Sequence, residues 1–173
     1  MTLSRRAVLA LAGAAGVAAC GRKPAPSRFK TYSGPPVTQI VVNKGERRMH
    51  LLSGKTVLRS YDVGLGNQPV GHKIFEGDGK TPEGIYFINR FNPRSAFHLS
   101  VGISYPDQED IARALMAGRD PGGDIFIHGR GRDGNALAPK RKDWTAGCIA
   151  VTDEEIEEIY AMVTTGVQVA IYP

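Results

Sequence analysis

The chain has 173 residues, of which 42% are hydrophobic and 23% charged. That suits one domain with a sizeable core and excludes an intrinsically disordered protein. The formal net charge is +5, and Arg5 and Arg6 supply two of those charges near the N-terminus. What remains is too mild and too dispersed for a nucleic-acid-binding protein, though it suits an anionic polymer or a membrane surface.

Residues 1–20 read as a targeting segment. Ser4-Arg5-Arg6 forms a charged start, and Ala7 to Ala19 is apolar and small, too short to span a bilayer as a mature helix. Ser4 to Leu9 resembles a twin-arginine export signal, and Val17-Ala18-Ala19-Cys20 resembles a bacterial lipobox. The lipobox implies cleavage before Cys20 and lipidation of its thiol, hence an exported, periplasmic protein anchored to a membrane. The alternative is a plain secretory signal with an incidental cysteine. Residues 21–36 carry Lys23-Pro24-Ala25-Pro26 and Ser33-Gly34-Pro35-Pro36, which favour extended, unpacked chain. They are expected to tether a domain at 37–173.

Val37 to Val42 reads as a strand, Met49 to Leu52 as a second and Val57 to Gly64 as a third, with glycine turns at Gly45 and Gly54. This spacing predicts an antiparallel meander. Residues 64–84, rich in Gly, Pro, Asp and Lys, predict a long loop of the kind that often carries function. Gly84 to Ile88 and Ala96 to Ile103 read as further strands. In the latter, His98 has the opposite parity to Phe97 and Leu99, which makes it a candidate to face a cleft; a satisfied, half-buried histidine is the equal alternative. Asp107 to Ala117 predicts a helix with Ile111 and Leu115 on its apolar face and Gly118 as its stop. Asp124 to Ile127 predicts a buried strand, and residues 129–144 a polar, basic loop. Thr152 to Glu155 is a capping box. It opens a helix with Ile156, Ile159, Tyr160 and Val163 on one face. Val167, Val169 and Ile171 alternate as a closing strand.

The chemistry gathers around two residues. If Cys20 carries lipid, Cys148 has no partner, and a lone thiol in an oxidising compartment suggests a free reactive group. A buried, inert cysteine is the bland alternative. His128, at the end of the run Ile125-Phe126-Ile127, supplies a candidate base. Gly147 allows close backbone approach, and the N–H groups of Gly147 and Cys148 are candidates for holding an oxyanion. Arg130, Arg132 and Lys142 are candidate anchors for substrate carboxylates, with a solvated surface loop as the alternative; Trp144 is a candidate pocket wall or, equally, a core tryptophan. Zinc is disfavoured: His50, His72, His98 and His128 show no ligand-like pairing, and one cysteine makes no structural site.

His128-Gly129, a loop of about fifteen residues and Thr145-Ala146-Gly147-Cys148 together resemble the L,D-transpeptidase catalytic domain of the YkuD family, most closely its YafK-like branch. Glu76 to Gly84, Ser95 to Ser100 and Ile103 to Pro106 support the resemblance, which covers roughly residues 37–173. It implies a mainly β fold with peripheral helices and a β-sandwich core. It implies Cys148 as nucleophile, His128 as base and the Gly129 carbonyl as the group orienting the imidazole. It implies no cofactor or metal, and peptidoglycan stem peptides as substrate, with a wall-linked lipoprotein as a further partner. Ala146 stands where most of the family has a second histidine, and Ala150 where it usually has Arg or Asn. Both departures fit the YafK-like branch and keep hydrolysis by the same site open beside transfer. A non-catalytic wall-binding lipoprotein is the alternative of another class.

Overall fold

The structure, a computed structural model, describes residues 27–173; the targeting segment, Cys20 and residues 21–26 lie outside them. In chain order the elements are β1 (Gln39–Asn43), β2 (Arg48–Ser53), β3 (Thr56–Asp62), β4 (Gly84–Asn92), β5 (Ser100–Ile103), α1 (Gln108–Met116), β6 (Phe126–His128), α2 (Gly131–Leu137), β7 (Ile149–Ala150), α3 (Asp153–Met162) and β8 (Gln168–Tyr172).

The period-2 pattern of the first strands does what alternation dictates: Ile40, Val42, Met49 and Leu51 point inward and are fully buried. β1, β2 and β3 form the expected antiparallel meander. The closing strand β8 pairs in parallel with β1, with Ile40 opposite Val169 and Val42 opposite Ile171. All eight strands form one sheet in the order β3-β2-β1-β8-β4-β5-β6-β7. β4 belongs to both halves. Gly84–Phe87 pair with β8, and Ile88–Asn92 pair with β5 through a register shift between Ile88 and Arg90. A bulge of this kind bends a strand and increases its twist. The sheet curls accordingly, and just past β3 Gly64 bridges to Ala150 in β7, bringing its two ends together. The layers expected of a sandwich are thus two halves of one curled sheet around a single core.

The helices follow their caps. Thr152 and Glu155 form the reciprocal capping box of α3, whose Ile156, Ile159 and Met162 are buried. Asp107 and Asp110 do the same for α1. Here the expected apolar face is wrong: Ile111 and Leu115 are exposed, while Asp110 and Ala114 are buried. Asp110 turns inward because its carboxylate accepts from the Tyr86 hydroxyl at 2.9 Å and lies 2.9 Å from His72 Nε2. Satisfied polar anchors of this sort decide which face a weakly amphipathic helix buries.

Residues 64–84 contain no helix or strand before Gly84, as expected, yet they are well anchored. The buried ammonium of Lys44 donates to Gly71 O at 2.7 Å, Thr81 O at 2.9 Å and Glu83 Oε1 at 2.8 Å. Residues 27–36 form no regular element either, but they are packed rather than free. Lys30 Nζ donates to Glu154 O at 2.9 Å, the Phe29 and Tyr160 rings are 6.2 Å apart, and Tyr32 packs against the core. The unpacked tether expected over 21–36 therefore does not extend through its second half. The prolines exclude regular structure there but not docking against α3.

Candidate active site

His128 is the last residue of β6, opposite Ser100 in β5 and Ala150 in β7. This register buries it, with 3% exposure. Its Nδ1–H donates to the Gly129 carbonyl oxygen at 2.5 Å, leaving Nε2 as the acceptor. The Phe97 ring lies over the imidazole, with centroids 4.6 Å apart, and Trp144 meets it edge-on at 5.7 Å.

Cys148 immediately precedes β7 and is half-buried. Its Sγ–H points to Asp124 O at 3.4 Å, and Sγ accepts from Phe126 N–H at 3.4 Å. The two chemical residues share a cavity of about 240 Å³, also lined by Phe97, Ser100, Asp124 and Phe126. In the described conformation the sulfur bonds to backbone rather than to the imidazole, so a proton transfer between the two would require rotation of the thiol out of these contacts. Burial pushes the thiol above its ordinary value of 9.0, although Phe126 N–H opposes this. Burial also pushes His128 below its ordinary 6.5, against the Gly129 hydrogen bond and the Asp153 charge. The resting pair is therefore a neutral thiol beside a neutral imidazole, which suits general-base activation at the moment of attack.

Gly147 has φ +143, and a Cβ there would lie 2.7 Å from Lys80 O. Both the backbone conformation and the contact with the long loop demand glycine. Its N–H, expected to hold an oxyanion, instead donates to Thr145 Oγ1 at 3.1 Å. The Cys148 N–H has no hydrogen-bond partner among the described residues and remains the candidate for holding an oxyanion.

Cys148 also borders a second cavity, of about 260 Å³, on the side of the long loop, lined by Lys73, Glu76, Gly122 and Ala146. Cys148 thus stands between two cavities, with His128 in only one of them.

The weaker candidates separate. Arg130, Lys142 and Trp144 line a third cavity of about 340 Å³ with Gly64 and Ala150. Cys148 is not among its walls, and Trp144 stands between it and His128. Arg132 is exposed and lines none of these three cavities. His98 does not face the cleft. It has φ +74, precedes β5 rather than lying within it, and its Nε2 is 2.8 Å from Glu157 Oε1 on α3. The turn breaks the strand on which the parity argument relied. The basic loop 129–144 contains α2, whose buried Gly134 leaves room for the Trp144 ring; a Cβ there would lie 2.6 Å from it. Neither Phe97 over the imidazole nor Asp124 at the sulfur was marked by any pattern in the sequence.

A curled sheet that brings a histidine at the end of one short strand and a cysteine just before the adjoining one to a shared cavity has the layout of a candidate cysteine-histidine site. The match to the family model for the YkuD L,D-transpeptidase catalytic domain spans residues 37–171, so the chain belongs to the YkuD family. It is 30% identical over 153 residues to YafK of Escherichia coli K12, whose designation as an L,D-transpeptidase is provisional; the match covers 81% of this chain and 55% of that protein. The crystal structure of Pgp2, a helical cell shape determining protein from Campylobacter jejuni, superposes with a TM-score of 0.63 at 28% identity, covering 81% of this chain and 49% of that one. An L,D-transpeptidase from Mycobacterium smegmatis shares the fold, with a TM-score of 0.52 at 13% identity over 78% of this chain and 58% of that chain. The chain spans about half the length of YafK and of Pgp2.

Proposed function

We propose that this protein is an L,D-transpeptidase that acts on peptidoglycan stem peptides through a thioester on Cys148. The observation that carries the reading is the position of Cys148 between two cavities, since transfer needs room for an acyl donor and for a separate amine acceptor. His128 Nε2 takes the thiol proton as Sγ attacks the carbonyl of a diaminopimelate residue. The oxyanion is held by Cys148 N–H. The amide bond breaks, and His128 returns the proton to the leaving amine. An acceptor amine then attacks the thioester, gives its proton to His128 and restores the thiol. By its likeness to Pgp2 we place the protein in wall remodelling that bears on cell shape. Export to the periplasm, lipidation of Cys20 and action on a wall-linked lipoprotein belong to the same proposal.

Hydrolysis is the second reading. It is favoured by Ala146, a small, exposed wall of the second cavity where most of the family has a histidine and where water meets little obstruction. The deciding experiment supplies the purified protein with a defined tetrapeptide muropeptide and a D-amino acid, and in parallel with a cross-linked or lipoprotein-linked muropeptide. New cross-links or D-amino acid exchange, lost in Cys148→Ala, support transfer. Cleavage of the linked substrate without exchange makes the protein a hydrolase. Inertness in both, with a thiol that resists alkylation, sinks both readings in favour of a non-catalytic wall-binding protein.

A further inference from the structure

We propose that Asp153 is a positioning residue for His128, acting through the peptide group that joins Gly129 to Arg130. The inference rests on His128 serving as the base in the proposed function. A trans peptide is planar, and its N–H and C=O point in opposite directions. One end of this peptide, the Gly129 oxygen, accepts the His128 Nδ1–H at 2.5 Å. The other end, the Arg130 N–H, donates to Asp153 Oδ1 at 2.8 Å. A carboxylate and an imidazole therefore grip the same rigid unit from opposite sides.

The carboxylate is itself fixed. Oδ1 also accepts from Gly131 N–H at 2.8 Å, and Oδ2 accepts from Asn135 Nδ2 at 3.2 Å. It reaches the peptide because residue 129 is glycine, as a Cβ there would stand 2.6 Å from Asp153 Oδ1. The arrangement does two things. It locks the peptide so that its carbonyl can only accept from Nδ1, which keeps the base at Nε2. It also places negative charge behind a polarisable dipole, where the imidazolium forms as the thiol loses its proton. In a Ser-His-Asp triad the carboxylate does this directly; here a backbone amide stands between them.

The bland alternative is that Asp153 merely starts α3 and holds α2 to it. Glu154 separates the two. It lies in the same first turn and meets the same helix dipole, yet its exposed side chain touches none of these N–H groups. The other charged or titratable groups around His128 are Cys148 and Asp124 in its own cavity and Arg130 behind Trp144. All of them stay unchanged in the test.

The experiment follows His128 by nitrogen-edited NMR through a pH titration, and Cys148 by its alkylation rate with iodoacetamide, in wild type, Asp153→Asn and Glu154→Gln. Asp153→Asn should move the His128 midpoint to lower pH, broaden the Nδ1–H signal and slow alkylation at neutral pH by at least about tenfold. Glu154→Gln should do none of these. Should the Asn variant not fold, Asp153→Ser offers a neutral acceptor with a favourable helix start, and the same results are expected. Equal His128 titrations in the Asp153 and Glu154 variants overturn the proposal. No wall substrate is used, so this result is independent of the transferase reading. Absence of transfer with this relay intact would count against that reading alone.

Discussion

The Thr145 hydroxyl donates to the carbonyl oxygen of Cys148 at 2.7 Å and so ties the nucleophile's backbone to the residue that begins its turn. The Thr145 hydroxyl oxygen in turn accepts from Gly147 N–H at 3.1 Å. Thr145→Val keeps the shape but leaves a carbonyl and an N–H unpaired at a buried site. It should cost about 1–3 kcal/mol in urea unfolding and slow alkylation of Cys148. Thr145→Ser, which retains both bonds, should lie near wild type in each assay. A Val variant as stable as the Ser variant would dismiss the role of the hydroxyl.

Gly147→Ala should be damaging beyond its size. It forces a side chain into φ +143 and sets a Cβ against Lys80 O. Strain of this kind costs about 1–3 kcal/mol before the clash is counted, and its relief must displace either the long loop or the nucleophile. The expected outcome is a lowered melting temperature together with lost thiol reactivity. Full reactivity in a stable Ala variant would contradict it.

The pH response follows from two depressed ionisations. Burial lowers His128, so between its folded value and 6.5 the unfolded chain binds more protons than the native one. Stability should fall as pH drops below about 6.5. Burial raises Cys148, so above 9.0 the unfolded chain loses a proton that the native one keeps, and stability should fall again. Urea midpoints measured across pH should therefore show a plateau between these limits, and His128→Gln should flatten its acid side. Thiolate absorbance at neutral pH, by contrast, should be absent. A strong signal there would mean an ion pair at rest and would refute the general-base description.

Lys44→Met should destabilise by about 3 kcal/mol, because it leaves Glu83 and two loop carbonyls without their shared cation. Lys44→Met combined with Glu83→Gln should recover part of that loss, since removing both charges is far less costly than removing one. A double variant no better than the single one would show that the carbonyls, not the ion pair, dominate.

The β-meander, the capping box of α3 and the approach of Cys148 and His128 to one cavity are legible because each is local: alternation, a polar residue three positions from its partner, a fixed motif spacing. His98 was misplaced because strand parity was carried across a turn that nothing in Ala96-Phe97-His98 announces. α2 was missed because it contains two glycines and begins without a side-chain cap, so its stability comes from Asp153 and Trp144, remote in sequence. The face of α1 was inverted for a related reason: Asp110 looks like surface until Tyr86 and His72 arrive to pair with it. Asp153 was visible only as a helix starter. Its link to His128 runs through a peptide bond, which no side-chain pattern encodes.

The packing of residues 27–36 on α3 alters the mechanics of anchoring. A lipid on Cys20 is part of the proposal above; were it present, its tether would lose residues 27–36, about 33 Å of extended chain, to this docked segment. It is moored where Arg28 donates to His98 O at 3.5 Å, next to Phe97 on the cavity wall. Under the proposed lipidation, the mouth of the site would be held closer to the bilayer than a fully extended tether would hold it, and fewer strands of the wall would come within range. Tether length would then select wall depth, adjustable by inserting residues before Ser27 without altering any residue around the Cys148 cavities.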